Sequence, residues 1–165
     1  MSRLFLSAAI KTTDVNEIPL RNLAHLGDAV FHLFEREREI LQSANAKQMH
    51  NRVTMRVNAE KQAVLLFQIA PRLNSVENDI VRRARNLKAA NYRKGEQAAY
   101  RQATAFEALV GYLYLTDTQR LKEVLHWTLE TATDAVNDAV IQGVNENLPD
   151  ETAEAGDACD ENSEP

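Results

Sequence analysis

The sequence predicts an all-α fold, a helical bundle formed by one domain. Three observations indicate this fold. The 165 residues are rich in Ala and aliphatic side chains and contain only 5 Gly and 4 Pro, a composition that favours helices. Apolar residues recur at three- and four-residue intervals, the period of an amphipathic helix. No segment alternates polar and apolar residues as a half-buried strand does, and the length suits a single domain.

Helical spacing predicts five helices, at roughly residues 19–39, 47–69, 76–87, 96–115 and 118–143. Pro19 suits a first helical position because its missing N–H would have no partner there, and Pro71 ends the second helix. Asn74 or Ser75 is a suitable N-cap for the third helix. The fourth helix is almost entirely apolar after residue 103, which is typical of a central, buried helix. The charged run 35–39 is expected to be a solvated helix end.

Composition divides the chain into three parts. Residues 1–18 are expected to form an N-terminal extension, residues 19–143 the folded domain and residues 144–165 an acidic tail. From Glu146 onwards there are eight acids and no Lys or Arg, which leaves 16 acids against 19 bases in the body. The body therefore carries about +3, which suits a polyanionic partner. The tail has almost no hydrophobic residue to offset its ordering entropy, so we expect it to be disordered.

The expected compartment is the cytoplasm. Cys159 is the only cysteine, which excludes a disulfide framework and a cysteine zinc site. The first ten residues resemble a signal peptide only faintly. No run approaches the ~18–20 apolar residues that span a bilayer. We expect a soluble protein with no membrane partner.

Two acids stand inside apolar helical stretches. Asp28 follows Gly27 in the first helix, and Glu107 lies within the apolar run 103–111. We expect both acids to be buried, and an ionised carboxylate is rarely buried unless it is paired or binds a cation. A glycine within a helix often marks close approach of another backbone, so the carboxylates can meet if the two helices cross at Gly27. Two oxygen ligands, with water in the remaining positions, suit Mg²⁺.

Structural interpretations of the two acids remain open. Asp28 could cap or pair with a helix end. Glu107 could pair with Arg101 or with a base on another helix, since buried ion pairs are common. Arg101 and Thr104 lie at three-residue steps before Glu107, so the three side chains form a polar stripe on one helix face.

His25 and His32 lie seven residues apart on the first helix, with Asp28 between them. A His/Asp metal site is therefore conceivable. Histidines at the edge of the core are the simpler interpretation, because zinc sites usually need three protein ligands at close spacing.

A basic stretch directly precedes the helix that carries Glu107. Guanidinium groups bind phosphate in bidentate fashion, and amides bond to phosphate and sugar oxygens. The candidate phosphate-binding residues are Arg82, Arg83, Arg85, Asn86, Lys88, Arg93, Lys94 and Arg101, with Glu96 as the one acid among them. A solvated helix face is the alternative interpretation. Asn91 and Tyr92 lie in an expected loop, residues 89–94, within the same stretch.

Three motifs in fitting order resemble those of the ribonuclease III catalytic domain. They are Leu26-Gly27-Asp28-Ala29, the run 79–88, and the run 100–116 with Glu107 at its centre. The shorter branch of the family, Mini-ribonuclease III, is the closer match, and the resemblance covers roughly residues 19–136. Each motif alone is weak, but the ordered set is specific.

The resemblance implies a homodimeric endoribonuclease that cleaves double-stranded RNA with Mg²⁺. Asp28 and Glu107 would be the catalytic and metal-binding residues, Thr104 a supporting residue, and the basic stretch the RNA-binding surface. His50 resembles a family position near the RNA or the dimer interface. The implied substrate is a precursor of large-subunit (23S) ribosomal RNA, with a ribosomal protein as a possible partner. The implied products carry 5′-phosphate and 3′-hydroxyl ends.

The sequence departs from the larger members of the family at two acids. Those enzymes carry four acids at each site, whereas Ala24 and Thr104 occupy two of the corresponding positions here. This reduced set is usual in the shorter branch, but it puts a second tightly held metal ion in doubt. A double-stranded-RNA-binding domain is not expected, because the acidic tail follows the helical domain. The alternative function is a catalytically silent RNA-binding or ribosome-assembly module on the same fold. A plain helical dimerisation protein is a third possibility.

Overall fold

The computed structural model describes residues 15–87 and 97–130, which form an all-α fold. The helices are α1 (Leu20–Ile40), α2 (Ala46–Arg56), α3 (Ala59–Ile69), α4 (Ser75–Arg85), α5 (Gln97–Thr116) and α6 (residues 118–130). A short 3₁₀ turn, Ala70–Arg72, follows α3, and a helical turn at residues 15–16 precedes α1. No strand occurs in these two ranges. The predicted fold class is confirmed.

Helix α5 is the centre of the bundle, as its composition predicts. Nine of the residues from Ala103 to Leu113 are buried. Helix α5 packs chiefly against α1, α3 and α4. Phe106 meets Phe31 of α1 edge to face, with ring centroids 5.0 Å apart, an arrangement that aromatic pairs favour. Val15 is fully buried in the same core, so the core already includes a residue of the expected N-terminal extension.

Helices α1 and α5 approach closely at two glycines. A Cβ built on Gly27 would collide with the backbone of Glu107 and would lie 2.7 Å from the amide nitrogen of Gly111. A Cβ on Gly111 would collide with the Leu23 carbonyl and would lie 3.1 Å from the Gly27 nitrogen. The two backbones therefore touch where only glycine fits. The expected crossing at Gly27 is confirmed.

The second predicted helix is two helices. The chain breaks at Val57 and Asn58, and the Asn58 side chain caps α3 by accepting a hydrogen bond from the Lys61 amide at 2.9 Å. Asparagine is among the best N-cap residues, which explains the break. Val64 and Phe67 of α3 are hydrophobic but exposed, with 82% of Phe67 accessible.

The charged run 35–39 is not a solvated helix end. Glu35 and Glu39 are buried. Glu39 accepts hydrogen bonds from Arg56, from Arg52 at 3.3 Å and from Ser43 at 3.2 Å. Glu35 pairs with Arg56 at 3.4 Å, so two buried acids of α1 hold two bases of α2. The expectation failed because these partners lie on another helix, where local spacing gives no signal.

Helix α4 has the predicted N-cap, and it is joined to α6 by a buried ion pair. Asn74 and Glu77 form a capping box in which each side chain bonds to the other residue's backbone N–H, an arrangement that satisfies two otherwise unpaired donors. The guanidinium of Arg120 binds the buried Glu77 carboxylate at 2.7 and 3.0 Å and lies 4.7 Å from the centre of the Trp127 ring. Burial alone would raise the pKa of Glu77, but the Arg120 bonds outweigh it and lower that pKa.

Several expectations fall outside the described residues: the loop 89–94, the fifth helix beyond residue 130, and the acidic tail. None of the helices described combines the length and the apolar character that a bilayer crossing requires.

Candidate active site

The crossing of α1 and α5 brings Asp28 and Glu107 together. Asp28 directly follows Gly27, and the backbone of Glu107 is what Gly27 contacts across the crossing. The charge of Asp28 acts on Glu107 strongly enough to raise its pKa. Both side chains are only partly buried, and 47% of the Asp28 side chain is accessible. The expectation of full burial was therefore wrong: the acids lie at the mouth of the crossing, where an ion from solvent can reach them.

Glu107 stands in an environment that disfavours its negative charge. Its pKa is raised to about 7, first by burial and then by the neighbouring charge of Asp28, while a hydrogen bond from Gln62 acts in the opposite direction. The expected alternative, a pairing with Arg101, does not occur. No Lys or Arg of the described ranges forms an ion pair with Glu107. Two like charges that approach without a base between them form a site for a cation.

Asp28 also has a polar neighbour on its own helix. Its Oδ1 lies 3.4 Å from Nε2 of His32, one turn along α1, and Nδ1 of His32 in turn lies 3.3 Å from the Arg36 guanidinium. The contact is long and partly exposed, so it contributes little to stability. This contact lies inside α1, so it is not the cap or the pairing with a helix end that was the alternative for Asp28.

The conceivable His/Asp metal site does not form. No group of three or more His, Cys, Asp or Glu side chains is placed to hold a metal ion anywhere in residues 15–87 and 97–130. His25 is exposed rather than at the core edge, and it lines the cleft beside Glu107. The donor set is therefore two carboxylates.

A small cleft lies beside Glu107 between α1, α4 and α5. The predicted polar stripe of Arg101, Thr104 and Glu107 forms one wall. The residues on the other walls are Arg21, Ala24, His25, Ala84, Leu87 and Tyr100. The enclosed volume of about 50 Å³ holds a few waters but no nucleotide, so any larger ligand would lie over the mouth of the cleft. Ala24, Ala84 and Leu87 are the apolar members of these walls.

The structure divides the predicted basic stretch. Arg82 and Arg83 both bind Asp79, at 2.5 and 2.8 Å, and these bonds, with that of Arg82 foremost, lower the pKa of Asp79. Arg85, Asn86 and Arg101 are exposed, and Arg101 also reaches the cleft. The sequence prediction overlooked Asp79, which neutralises part of the charge of the first two arginines. Lys88, Arg93 and Lys94 lie outside the described residues.

His50 is exposed on α2 and is absent from the walls of the Glu107 cleft. The described structure therefore does not bring it together with the two acids.

Gln62 of α3 is the site residue that the sequence did not reveal. It is 1% exposed, and its amide partly offsets the rise in the pKa of Glu107. In the sequence Gln62 lies in the ordinary helical segment Glu60-Lys61-Gln62-Ala63. An uncharged polar residue at an apolar position was the one available signal.

A divalent cation with a hard, oxygen-rich shell fits this donor set. Asp28 and Glu107 supply carboxylate oxygens, and Mg²⁺ is commonly held by one or two carboxylates with water in its other positions. A buried acceptor beside Glu107, Oε1 of Gln62, has no hydrogen-bond donor within the described ranges, which a water at the site could supply. Carboxylates for a cation and guanidinium groups beside them, on an all-helical fold, are the components of a metal-assisted phosphodiesterase.

Comparison with known proteins supports that class. Residues 21–118 match the family model described as Ribonuclease III domain. Mini-ribonuclease 3 of Gloeobacter violaceus is 41% identical over 112 residues, which cover 68% of this chain and 83% of the relative. Mini-ribonuclease 3 of a Synechococcus species is 44% identical over 103 residues, 62% of this chain and 75% of the relative.

The fold is also shared with a solved structure. The crystal structure of a Fusobacterium nucleatum protein has a TM-score of 0.62 and 26% sequence identity, covering 72% of this chain and 98% of the solved one. The chain belongs to the ribonuclease III family, in its Mini-ribonuclease 3 branch, and is an endoribonuclease. The resemblance noted in the sequence is confirmed.

Proposed function

We propose that this endoribonuclease cleaves double-stranded RNA with Mg²⁺ as its cofactor and Asp28 and Glu107 as its catalytic, metal-binding residues. One observation carries the proposal: the two carboxylates approach each other across the α1–α5 crossing, and no described base neutralises Glu107. Such a pair is electrostatically unfavourable until a cation joins it.

In this proposal the chain supplies the ligands and holds the substrate. When bound, Mg²⁺ supplies an activated water and offsets the charge that builds on the phosphate oxygens. Asp28 and Glu107 would hold it from two helices, α1 and α5, which the glycine contact keeps close together. The Thr104 hydroxyl, one turn before Glu107, orients water in the cleft. Cleavage then leaves a 5′-phosphate and a 3′-hydroxyl.

The RNA backbone would lie over the mouth of the cleft. Arg85, Asn86 and Arg101 are exposed on the helices that flank it, and Lys88, Arg93 and Lys94 of the connecting segment would extend the same surface. Arg82 and Arg83 would contribute after exchanging Asp79 for phosphate, which a guanidinium group can bind in bidentate fashion. Such contacts read the shape and phosphates of an RNA helix rather than its bases. His50 would touch RNA only at the dimer interface.

We propose a homodimer as the working form. The exposed hydrophobic side chains include Leu33 and Ile40 of α1, Met55 of α2, and Val64 and Phe67 of α3. Large exposed hydrophobic side chains are typical of an interaction surface where they adjoin, and a second copy of the chain is the partner that the family suggests. Two copies would place two cleavage sites on one RNA helix, one for each strand.

The proposed natural substrate is a stem in a precursor of 23S ribosomal RNA, processed in the cytoplasm, with a ribosomal protein as a further partner. The names of the relatives support ribonuclease activity. The basic surface beside the cleft supports a large, polyanionic substrate.

Cleavage of double-stranded RNA by the purified protein tests the proposal. With Mg²⁺ we expect cleavage by the parent chain and a loss of at least about 100-fold for Asp28→Asn and for Glu107→Gln, because each removes one of two anionic ligands. Glu37→Gln, which neutralises an exposed acid of α1, is the matched control and should retain parental activity.

Three results would contradict the proposal. Equal cleavage with and without Mg²⁺ would show that Mg²⁺ is not the cofactor. Cleavage by Asp28→Asn at the parental rate would show that Asp28 is not a catalytic residue. Binding of the RNA without cleavage by the parent would favour the silent RNA-binding module.

A further inference from the structure

A row of five polar side chains runs along the outer face of α1 and passes through the candidate site. We call it the α1 polar row, and it comprises Arg21, His25, Asp28, His32 and Arg36. Successive members are three or four residues apart, the spacing at which side chains of a helix are neighbours on one face. All five are exposed or only partly buried. From its first member to its last the row is about 22 Å long, from the rise per residue of an α-helix.

The structure shows that the α1 polar row is continuous on both sides of Asp28. Towards the end of the helix, Nε2 of His32 lies 3.4 Å from Oδ1 of Asp28, and the Arg36 guanidinium lies 3.3 Å from Nδ1 of His32. Towards its start, Arg21 and His25 line the Glu107 cleft. Side chains that can donate hydrogen bonds therefore flank the proposed cation ligand in both directions along α1.

The charge of Arg36 is not offset by a carboxylate. No acid of residues 15–87 and 97–130 forms an ion pair with it. Glu37, an exposed acid of α1, lies two and a half turns from Asp28 and therefore on the opposite side of the helix. Three neighbouring arginines, by contrast, pair with buried acids of α1: Arg38, Arg52 and Arg56.

Donors spaced by one helical turn suit the phosphates of a nucleic-acid strand. A guanidinium group binds phosphate in bidentate fashion, and a neutral imidazole can donate one N–H. Contacts of this kind position a duplex without reading its bases. A strand that followed the α1 polar row would bring one phosphate beside Asp28. The acid alone would repel that phosphate, and the proposed cation offsets the repulsion.

We propose that the α1 polar row binds the backbone of one strand of double-stranded RNA, and that its four donor side chains contact phosphates on either side of the one cleaved beside Asp28 and Glu107. This surface lies on α1, apart from the basic stretch of α4, α5 and the segment between them. The inference rests on the proposed function for its substrate, but its test needs no Mg²⁺.

The test measures binding of a double-stranded RNA to the protein in EDTA over a range of salt concentrations. Each phosphate contact releases counterions, so the slope of log affinity against log salt concentration reports the number of contacts. We expect Arg21→Gln and Arg36→Gln each to weaken binding about three- to tenfold at low salt. Each should reduce the slope by about 1, and the double variant should reduce it by about 2.

Two control variants accompany this measurement. Lys122→Gln removes an exposed base of α6 that belongs neither to the row nor to the walls of the cleft, so it should keep the parental affinity and slope. Arg36→Lys preserves the charge and should restore the slope that Arg36→Gln loses. Thermal unfolding checks that every variant is folded, which we expect because both arginines are exposed.

Three results would overturn the inference. One is parental affinity and slope in both Arg21→Gln and Arg36→Gln. Another is an equal loss in Lys122→Gln, since that would reflect net charge rather than a surface on α1. The third is weaker binding with an unchanged slope, which would show that the arginines do not contact phosphates.

The two proposals fail in different ways. A parent chain that binds double-stranded RNA through the α1 polar row but leaves it intact with Mg²⁺ would refute the proposed function alone. A parent chain that cleaves the RNA, with row variants that bind it as the parent does, would refute the role of the row alone.

Discussion

At the scale of single residues, the environment of Glu107 decides its chemistry. Sequence pattern identified this acid because it interrupts an apolar helix, and the structure adds why it matters: burial and Asp28 together raise its pKa to about 7. Without a cation the folded protein therefore carries an unfavourable carboxylate at neutral pH. The loss of folding stability caused by this charge therefore depends on pH.

Glu107→Gln should stabilise the metal-free protein at alkaline pH. The folded pKa of about 7 lies above the ordinary value of 4.5, so the contribution of Glu107 to stability is fully present below about pH 4.5 and is lost as the pH rises through 7. At pH 8 in EDTA we expect the variant to be more stable than the parent by roughly 1–3 kcal/mol. At pH 4.5 the two should be nearly equal.

Urea unfolding at both pH values measures this difference. Glu37→Gln, on the exposed side of α1, should show no such dependence on pH. A variant that is less stable than the parent at pH 8 would show that Glu107 is held by a favourable partner, contrary to the site described above.

Gln62 marks the limit of sequence reasoning at this scale. Acids in apolar helices are visible in a single sequence because they break a pattern. The effect of Gln62 on the pKa of Glu107 acts between α3 and α5, and it depends on how these two helices pack. Asp79 is a different case, because Arg82 and Arg83 lie three and four residues after it on the same helix, and that spacing predicts a contact from the sequence alone.

At the scale of helices, the α1–α5 crossing positions the site. Gly27 and Gly111 let the backbones touch, and Asp28 and Glu107 are each neighbours of that contact. The geometry of the two carboxylates is therefore set by the closest packing in the bundle rather than by a loop.

Gly27→Ala should disrupt the crossing. The added methyl group would lie 2.7 Å from the Gly111 nitrogen and would overlap the Glu107 backbone, so the helices must separate. We expect a loss of at least about 1–3 kcal/mol in the free energy of unfolding, although alanine favours helix by about 1 kcal/mol over glycine. Chemical unfolding measures it, and Ala29→Ser, an exposed change on the same helix, should have little effect. Equal or greater stability in Gly27→Ala would contradict the crossing.

Glu39→Gln should weaken the contact between α1 and α2 and lower the free energy of unfolding. Burial alone would raise the pKa of Glu39, but hydrogen bonds from Arg56 and Arg52 outweigh it, so the net pKa is lowered. Its contribution to stability is then present above about pH 4.5 and lost as the pH falls through the lowered value. We expect the variant to lose about 3 kcal/mol at pH 7, with the difference from the parent shrinking below pH 4.5. The same unfolding measurements test it, with Glu37→Gln as the control.

The sequence predicted most of the helices but not all their boundaries. The proline at position 19, the capping box at Asn74 and the apolar run of α5 are local signals, and the corresponding helices appear where they were expected. The break at Asn58 was missed, because an N-cap inside a continuous apolar period is easily taken for a helical residue. The burial of Glu35 and Glu39 depends on arginines of a different helix and has no local signal.

At the scale of the whole molecule, two surfaces are distinct. Basic residues are exposed beside the Glu107 cleft, whereas large hydrophobic side chains are exposed on α1, α2 and α3. The first surface matches the family's activity. The second has no occupant among the described residues, and a second copy of the chain is the partner we propose.

Phe67→Glu should convert the proposed dimer into folded monomers. Phe67 is 82% exposed, so the substitution should change the stability of a single subunit by no more than about 0.5 kcal/mol. At an interface between two copies it would bury two negative charges without partners, a cost of several kcal/mol. Light scattering coupled to size exclusion should therefore give the mass of a dimer for the parent and of a monomer for the variant. Val76→Glu, at an exposed apolar position of α4, is the matched control and should leave the mass at that of the dimer. A parental mass in Phe67→Glu, or a monomeric parent, would exclude this surface as the dimer interface.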